Sequence, residues 1–490
     1  MLNNRPSVRR GVALSCALSL AGCTPAVRAS EPDVGARIAR IEQGLLPATR
    51  VQGRTYVPAP IEERMRAHGV PAASIAVIND GRVEWAKAYG LADVETRRPA
   101  TTTTIFQAAS ISKPVAAMGA LRLVQEGRLA LDEDINTKLR SWKVPANDLV
   151  VRRPVTLRLI LTHSAGLTVH GFPGYAPGTP VPTVVQLLGG EKPANTAPVR
   201  VDIEPGSRWR YSGGGTTVMQ LLMTDVTGEP FPSLMRRLVL DPIGMRSSTY
   251  EQPLPPTRAA EAATGYRAAD RPVTGGYHTY PEMAAAGLWT TPTDLARFVI
   301  EIQRSVAGAS NKVLTREMTA AMLTRGLGSH GLGPGLDGVA DSLRFGHGGA
   351  NEGFRAMFTG FTTRGQGAVV MTNSDAGSAL VAEVFQAIAK EYGWPGFSPR
   401  AVTPVAMTAE ALRDYAGRYG RPGTPLVLSV AVQDGQLLAR QGDRAPIEIV
   451  PTGPNVFTPL ADAPPFRFER DSTGRITTLI VGGTRLERLP

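Results

Sequence analysis

Two strand-rich stretches, one near each end of a long helical region, constrain this chain more than any other feature. Residues 73–78 and 83–89 alternate and cluster apolar residues around the tight-turn sequence Asn79-Asp80-Gly81, which reads as a β-hairpin. Strand signals return only at residues 343–346, 354–362 and 368–372, with a turn at Arg364-Gly365. Helical periodicity dominates from Ser112 to about Leu240, broken by loop-like stretches at 168–182 and 189–202. The pattern predicts one sheet assembled from both ends of the domain, with the intervening helices packed on it, an α+β layering.

The flanks carry different signals. Arg5, Arg9 and Arg10 precede an apolar run from Gly11 to Gly22 that is too short to span a bilayer and reads as a signal segment, residues 1–22. Leu20-Ala21-Gly22-Cys23 resembles the lipobox of bacterial lipoproteins, which implies export and membrane attachment through a lipid on Cys23; cleavage near Ala29 is the rival. A polar tether is expected over 23–58, with a helical patch at 34–45, ahead of a main domain at 59–395. A Pro/Gly-rich linker follows at 396–406, and 407–490 alternates apolar and polar residues between turns, predicting a small all-β, barrel-like domain.

Composition removes several function classes. The two cysteines are Cys16, in the signal segment, and Cys23, directly after it, so the domain that follows has no disulfide and no cysteine metal site. The six histidines show no His-x-His or His-x-x-x-His spacing, so no metal and no cofactor are expected. The formal charge of +11 is spread among acidic residues without a basic cluster, which leaves nucleic-acid binding without support.

Chemistry concentrates at Gln107-Ala108-Ala109-Ser110-Ile111-Ser112-Lys113-Pro114, at the head of a buried helical pattern. Pro114 fits only a first turn, where its missing N–H has no intrahelical partner. Residues three apart share a helix face, so Lys113 can reach the hydroxyl of Ser110, the candidate nucleophile. The positive end of the helix would stabilise an oxyanion there. A serine needs a neighbour to accept its proton, and an amine can do so where arginine cannot. Downstream, Tyr211-Ser212-Gly213 opens a glycine run before another apolar helix, and His347-Gly348-Gly349 lies at a strand edge where a substrate backbone could run. Taken singly, Tyr211 also reads as an aromatic packed on a turn, and His347 as a structural histidine.

In order, Ser110-x-x-Lys113, Tyr211-Ser212-Gly213 and His347-Gly348-Gly349 resemble the motifs of serine hydrolases related to class C β-lactamases, D,D-peptidases and esterases. The linking segments Leu161-Thr162-His163-Ser164-Ala165-Gly166-Leu167 and Ala286-Gly287-Leu288-Trp289-Thr290-Thr291-Pro292-Thr293-Asp294 share the likeness; His163 is read as structural and Asp294 as a helix-capping residue. The resemblance implies an α/β/α sandwich, an antiparallel sheet flanked by helices with a helical subdomain and the active site between them. It implies acylation of Ser110, proton transfer shared by Lys113 and Tyr211, and an oxyanion hole from the N–H groups of Ser110 and Ala350. Gly213, His347, Gly348 and Gly349 would contact substrate.

Two departures bear on that substrate. Gly213 stands where the family commonly has an asparagine, and His347 where β-lactamases and D,D-peptidases have a lysine that attracts the substrate carboxylate. An unperturbed histidine is mostly neutral at pH 7. Both changes point away from β-lactams and D-Ala-D-Ala peptides towards uncharged esters or amides. A D-amino-acid peptidase, a weak β-lactamase and a penicillin- or envelope-binding protein without efficient turnover are the alternatives. No protein partner is specified.

Overall fold

The structure, a computed structural model, describes residues 1, 33–268, 271–421, 423–424, 426–442, 446–461 and 463–490. The expected signal segment, the lipobox and both cysteines lie outside these residues. Among the described residues no helix is long and apolar enough to cross a membrane.

The sheet is seven-stranded and antiparallel throughout. Its strands are β1 (Ala72–Asn79), β2 (Arg82–Asp93), β3 (Arg98–Pro99), β4 (Gly335–Asp337), β5 (Arg344–Asn351), β6 (Phe354–Phe361) and β7 (Gly367–Thr372). They lie in the order β3-β2-β1-β7-β6-β5-β4. The seam that joins the two ends of the domain is β1 against β7, in register from Ala73–Thr372 to Ile78–Gly367. The near-continuous apolar run of β1 is explained by burial on both faces. Ala72, Ala76 and Ile78 enter one core with Phe345, Phe358 and Val369. Ala73, Ile75 and Val77 enter the other with Ala368 and Val370.

Helices cover both faces. Pro292–Val306 packs on the first face through Leu295, Phe298, Val299 and Ile302, and Gly377–Tyr392 packs on the second through Leu380, Val384, Phe385 and Ile388. Helices Ser112–Gln125 and Gly213–Thr227 belong to the larger core and form the helical layer beside the sheet. Thr291 N-caps helix Pro292–Val306 by accepting the Asp294 N–H, and the Asp294 carboxylate accepts from Ser247 N at 2.8 Å and Ser248 Oγ at 2.9 Å. These bonds tie Asp294 into the scaffold.

The expectation of a free tether does not hold over 34–51. Helix Val34–Glu42 places Val34, Ile38 and Ile41 against Gly377–Tyr392, and Arg37 pairs with Glu84 at 3.0 Å. Thr49–Val51 pairs in parallel with Arg400–Val402, so part of the expected linker is a strand as well. These contacts seat the C-terminal domain: Val51 and Val402 pack on Val450, and Arg54 binds Glu448 through two bonds of 2.8 and 2.9 Å.

The C-terminal domain is a closed eight-stranded antiparallel barrel from Gly417–Gly420 to Thr484–Leu489, with its first and last strands paired. Closure leaves no free edge. Its interior is filled by Tyr415, Tyr419, Phe457, Phe466 and Phe468 with Leu437 and Leu479.

Candidate active site

Ser110 sits on a 3₁₀ turn, Ala109–Ile111, immediately before helix Ser112–Gln125. Ala109 is held at φ +50°, a left-handed conformation that costs a non-glycine residue strain, and such strain persists only where the surroundings over-determine it. The surroundings do so here. Ala108 N donates to Leu288 O at 2.8 Å, Ser112 Oγ donates to Ala109 O at 2.5 Å and accepts from Leu288 N at 2.9 Å, and Tyr250 donates its phenol proton to Ser112 O at 2.7 Å. Ser110, the middle residue of this braced turn, is left half-buried.

Lys113, one helical turn on, is 4% exposed. Its Nζ donates to Ser110 Oγ at 3.0 Å and to the Ala285 carbonyl at 2.8 Å. The second bond ties the lysine to the short helix Met283–Ala286, so two elements far apart in sequence aim it at the serine.

Tyr211 completes the cluster by its ring, whose centroid is 5.0 Å from Lys113 Nζ. The His163 ring packs against it, tilted by 34° with the centroids 4.3 Å apart. The glycine run after it is the first turn of helix Gly213–Thr227, where Ser212 N-caps the helix by accepting Gly215 N–H at 2.9 Å and donating to Thr168 O at 2.8 Å. His163 Nδ1 accepts the Ser212 N–H at 3.3 Å. The place of a side chain at Gly213 is filled: a Cβ there would lie 2.8 Å from the Phe172 ring and 2.9 Å from the His170 carbonyl oxygen.

His347, Gly348 and Gly349 lie in strand Arg344–Asn351, beyond the residues Arg344–Gly346 that pair with the edge strand β4. This strand runs against the serine turn. A Cβ on Gly349 would meet Ala108 O at 2.2 Å, a backbone atom that cannot swing away. Asn351 fastens the strand's end, its Nδ2 donating to Gln107 Oε1 at 2.9 Å and Ala286 O at 3.1 Å. Gly349→Ala is expected to push the strand off the turn, costing about 1–3 kcal/mol of stability and on the order of 10²-fold in any turnover that needs both elements in place. Thermal unfolding of Gly349→Ala and Gly348→Ala decides it, because a Cβ at Gly348 has no neighbour nearer than 3.9 Å. Equal melting temperatures would contradict this packing.

The cluster's electrostatics favour neutral imidazoles. Burial, followed by the Lys113 charge, holds His347 down at about 3. Burial likewise lowers His330, His170 and, well below the usual range, His163. His347 therefore brings no positive charge to the strand at pH 7.

Glu282, which precedes the lysine-binding helix, is buried, and neither carboxylate oxygen has a hydrogen-bond partner among the described residues. Burial raises it to about 8. The unfolded chain loses this proton near the ordinary value of 4.5, whereas the folded chain keeps it to about 8. Between those values the folded state binds the extra proton, so stability falls as pH rises, by a few kcal/mol in order of magnitude. Glu282→Gln is expected to lose that slope. Denaturant unfolding from pH 5 to 8.5 should show the variant gaining on the wild type; parallel curves would show that Glu282 is not held neutral.

The structure thus brings Ser110, Lys113, Tyr211, His347, Gly348 and Gly349 together, with Ala350 next on the strand. Sequence spacing missed that His163 and His330 join His347: one ring nitrogen of each lies within 4.8 Å of the others. The expectation of no metal rested on local spacing, which has no view of residues brought together by the fold. A cavity of about 540 Å³ is lined by Ala350 and Glu352 and by Leu426, Val427, Gln441 and Gly442 of the C-terminal domain.

Residues 59–392 match the family profile described as Beta-lactamase. The chain is similar to "Esterase EstB" of Burkholderia gladioli, 30% identical over 201 residues, 38% of this chain and 49% of that protein. It is also similar to "Beta-lactamase" of Pseudomonas fluorescens, 25% identical over 281 residues, 56% of this chain and 73% of that protein. The match thus spans about half the length of the esterase. Among solved structures, the octameric penicillin-binding protein homologue from Pyrococcus abyssi superposes with TM-score 0.61 at 22% identity, covering 87% of this chain and 98% of that one. The beta-lactamase/D-alanine carboxypeptidase from Pseudomonas syringae superposes at 0.53 with 19% identity, over 67% and 96%. Both likenesses concern the fold.

Proposed function

The chain belongs to the beta-lactamase family, and from that premise we propose that it is a serine hydrolase working through an acyl-Ser110 intermediate on uncharged carboxylic esters or amides. The observation that carries this reading is the 3.0 Å contact between Lys113 Nζ and Ser110 Oγ on a strained, fully braced turn. Lys113 Nζ takes the hydroxyl proton as Oγ attacks the carbonyl carbon. The oxyanion that forms faces the N–H groups of Ser110 and Ala350, fixed dipoles that need no reorganisation. Tyr211, above Lys113, passes the proton to the leaving alcohol or amine. Water then attacks the acyl ester with the same groups acting in reverse, and the acid leaves.

Substrate preference follows from two features of the wall. A neutral His347 does not attract a carboxylate, and the space that a side chain at residue 213 would use to hold an amide is taken by Phe172 and His170. The similarity to an enzyme named as an esterase supports the same direction. Initial rates on a short-chain p-nitrophenyl ester and on a chromogenic cephalosporin test it. The expected kcat/KM for the ester exceeds that for the cephalosporin by about 10²-fold or more; a reversed preference would make the protein a β-lactamase.

A further inference from the structure

Beside the serine cluster three imidazoles converge from segments far apart in the chain. His163 follows a short helix of the helical layer, His330 precedes strand Gly335–Asp337, and His347 lies in strand Arg344–Asn351. We propose that His163, His330 and His347 form a binding site for a borderline divalent ion of the Zn²⁺ type. Their ring nitrogens lie within 4.8 Å of one another. An ion about 2.0–2.1 Å from each nitrogen asks the rings to close by about an ångström.

Two of the six ring nitrogens, Nδ1 of His330 and Nε2 of His347, are buried and have no hydrogen-bond partner among the described residues, an expensive condition for a polar atom in a folded protein. His347 is already oriented as a ligand: its Nδ1 lies 2.6 Å from the Gly348 carbonyl oxygen, to which it can donate only as Nδ1–H, so the bare lone pair is on Nε2. A ligating histidine that gives its other N–H to a carbonyl is the usual outer-shell arrangement. Trp209 stacks on His330 at 5.5 Å and 30°, fixing that ring. His163 is the weakest of the three. Its Nδ1 accepts the Ser212 N–H at 3.3 Å, so its ring proton sits on Nε2. Ligation through Nε2 moves that proton to Nδ1 and breaks the long Ser212 bond, and no proton leaves the protein.

The ligand set decides the ion. Three neutral imidazoles with no carboxylate in the group suit Zn²⁺, Co²⁺ or Cu²⁺ and exclude Mg²⁺ and Ca²⁺, which take oxygen ligands. Three protein ligands also leave a fourth position open. Tyr211 lies against all three rings, at 4.3, 6.4 and 6.0 Å between centroids, so a bound ion sits within the candidate cleft. Resting on the hydrolase reading, the consequence is that the ion occupies His347 beside Gly348 and Gly349 and reversibly blocks ester turnover.

The test uses the full chain expressed without a polyhistidine tag. Co²⁺ titration followed by visible absorption, and Zn²⁺ titration by calorimetry, are expected to show one equivalent bound, with Zn²⁺ displacing Co²⁺. His330→Phe keeps a ring against Trp209 and removes the nitrogens; it should weaken binding by at least about tenfold with an unchanged melting temperature of the metal-free protein. Should it unfold, His330→Asn is measured instead. No stoichiometric binding by the wild type, or equal binding by the folded variant, overturns the site. Zinc inhibition of ester turnover is read separately: binding without any turnover in metal-free protein leaves the metal site standing and removes the hydrolase reading.

Discussion

Ser110→Ala is expected to reduce ester turnover to background, a loss on the order of 10⁴-fold or more, while the fold and melting temperature stay those of the wild type. Two observations support such a separation. Among the described residues the Oγ carries a single hydrogen bond, the one it receives from Lys113, so its removal leaves one donor of the lysine free while the bond to the Ala285 carbonyl remains. The turn itself is held by Ala108, Ser112, Tyr250 and Leu288, none of which uses the Ser110 side chain. Steady-state rates and thermal unfolding of the same preparation check the prediction. A folded variant that keeps even one-tenth of the activity would place the nucleophile elsewhere.

Lys113→Arg has the second-largest expected effect. A guanidinium preserves the positive charge and the ability to donate to Ala285 O, and it cannot accept a proton at any working pH. If charge alone mattered, the variant would be active. With the amine as the proton acceptor for Ser110, turnover is expected to fall by about 10²–10⁴-fold. The residue is buried and the guanidinium is larger, so Lys113→Met is made in parallel; both variants should fall together in kcat/KM. Retained activity in Lys113→Arg, measured over pH 6 to 9, would show that the lysine positions the serine and does not take its proton.

How much of this was legible in the sequence depends on whether the signal was local. Strand and helix order could be read because β1 and β2 surround an Asn-Asp-Gly turn and because Ser112–Gln125 repeats apolar residues at helical spacing. The same regularity exposed the Ser110–Lys113 pair, since three residues along a helix place both side chains on one face. The docking of Val34–Glu42 was half-visible: Val34, Ile38 and Ile41 recur at helical spacing, but nothing local tells that Gly377–Tyr392 receives them. The filled space at Gly213 had no local signal, because Phe172 and His170 come from a preceding loop that reads only as irregular. His163, His330 and His347 escaped for the same reason. A metal pattern is sought at short spacing, whereas these three are joined by the helical layer and the sheet. Glu282 sits among ordinary residues, and only its burial without a partner marks it.

The proposed chemistry comes down to whether a covalent bond forms at Ser110 Oγ. Intact-mass spectrometry of the wild type, quenched during reaction with a slowly deacylated p-nitrophenyl ester, followed by peptide mapping, measures this directly. The expected result is one acyl group per chain, on the peptide containing Ser110, and none on Ser110→Ala. Turnover with no adduct at any quench time, or an adduct that persists in Ser110→Ala, would contradict a Ser110 acyl-enzyme.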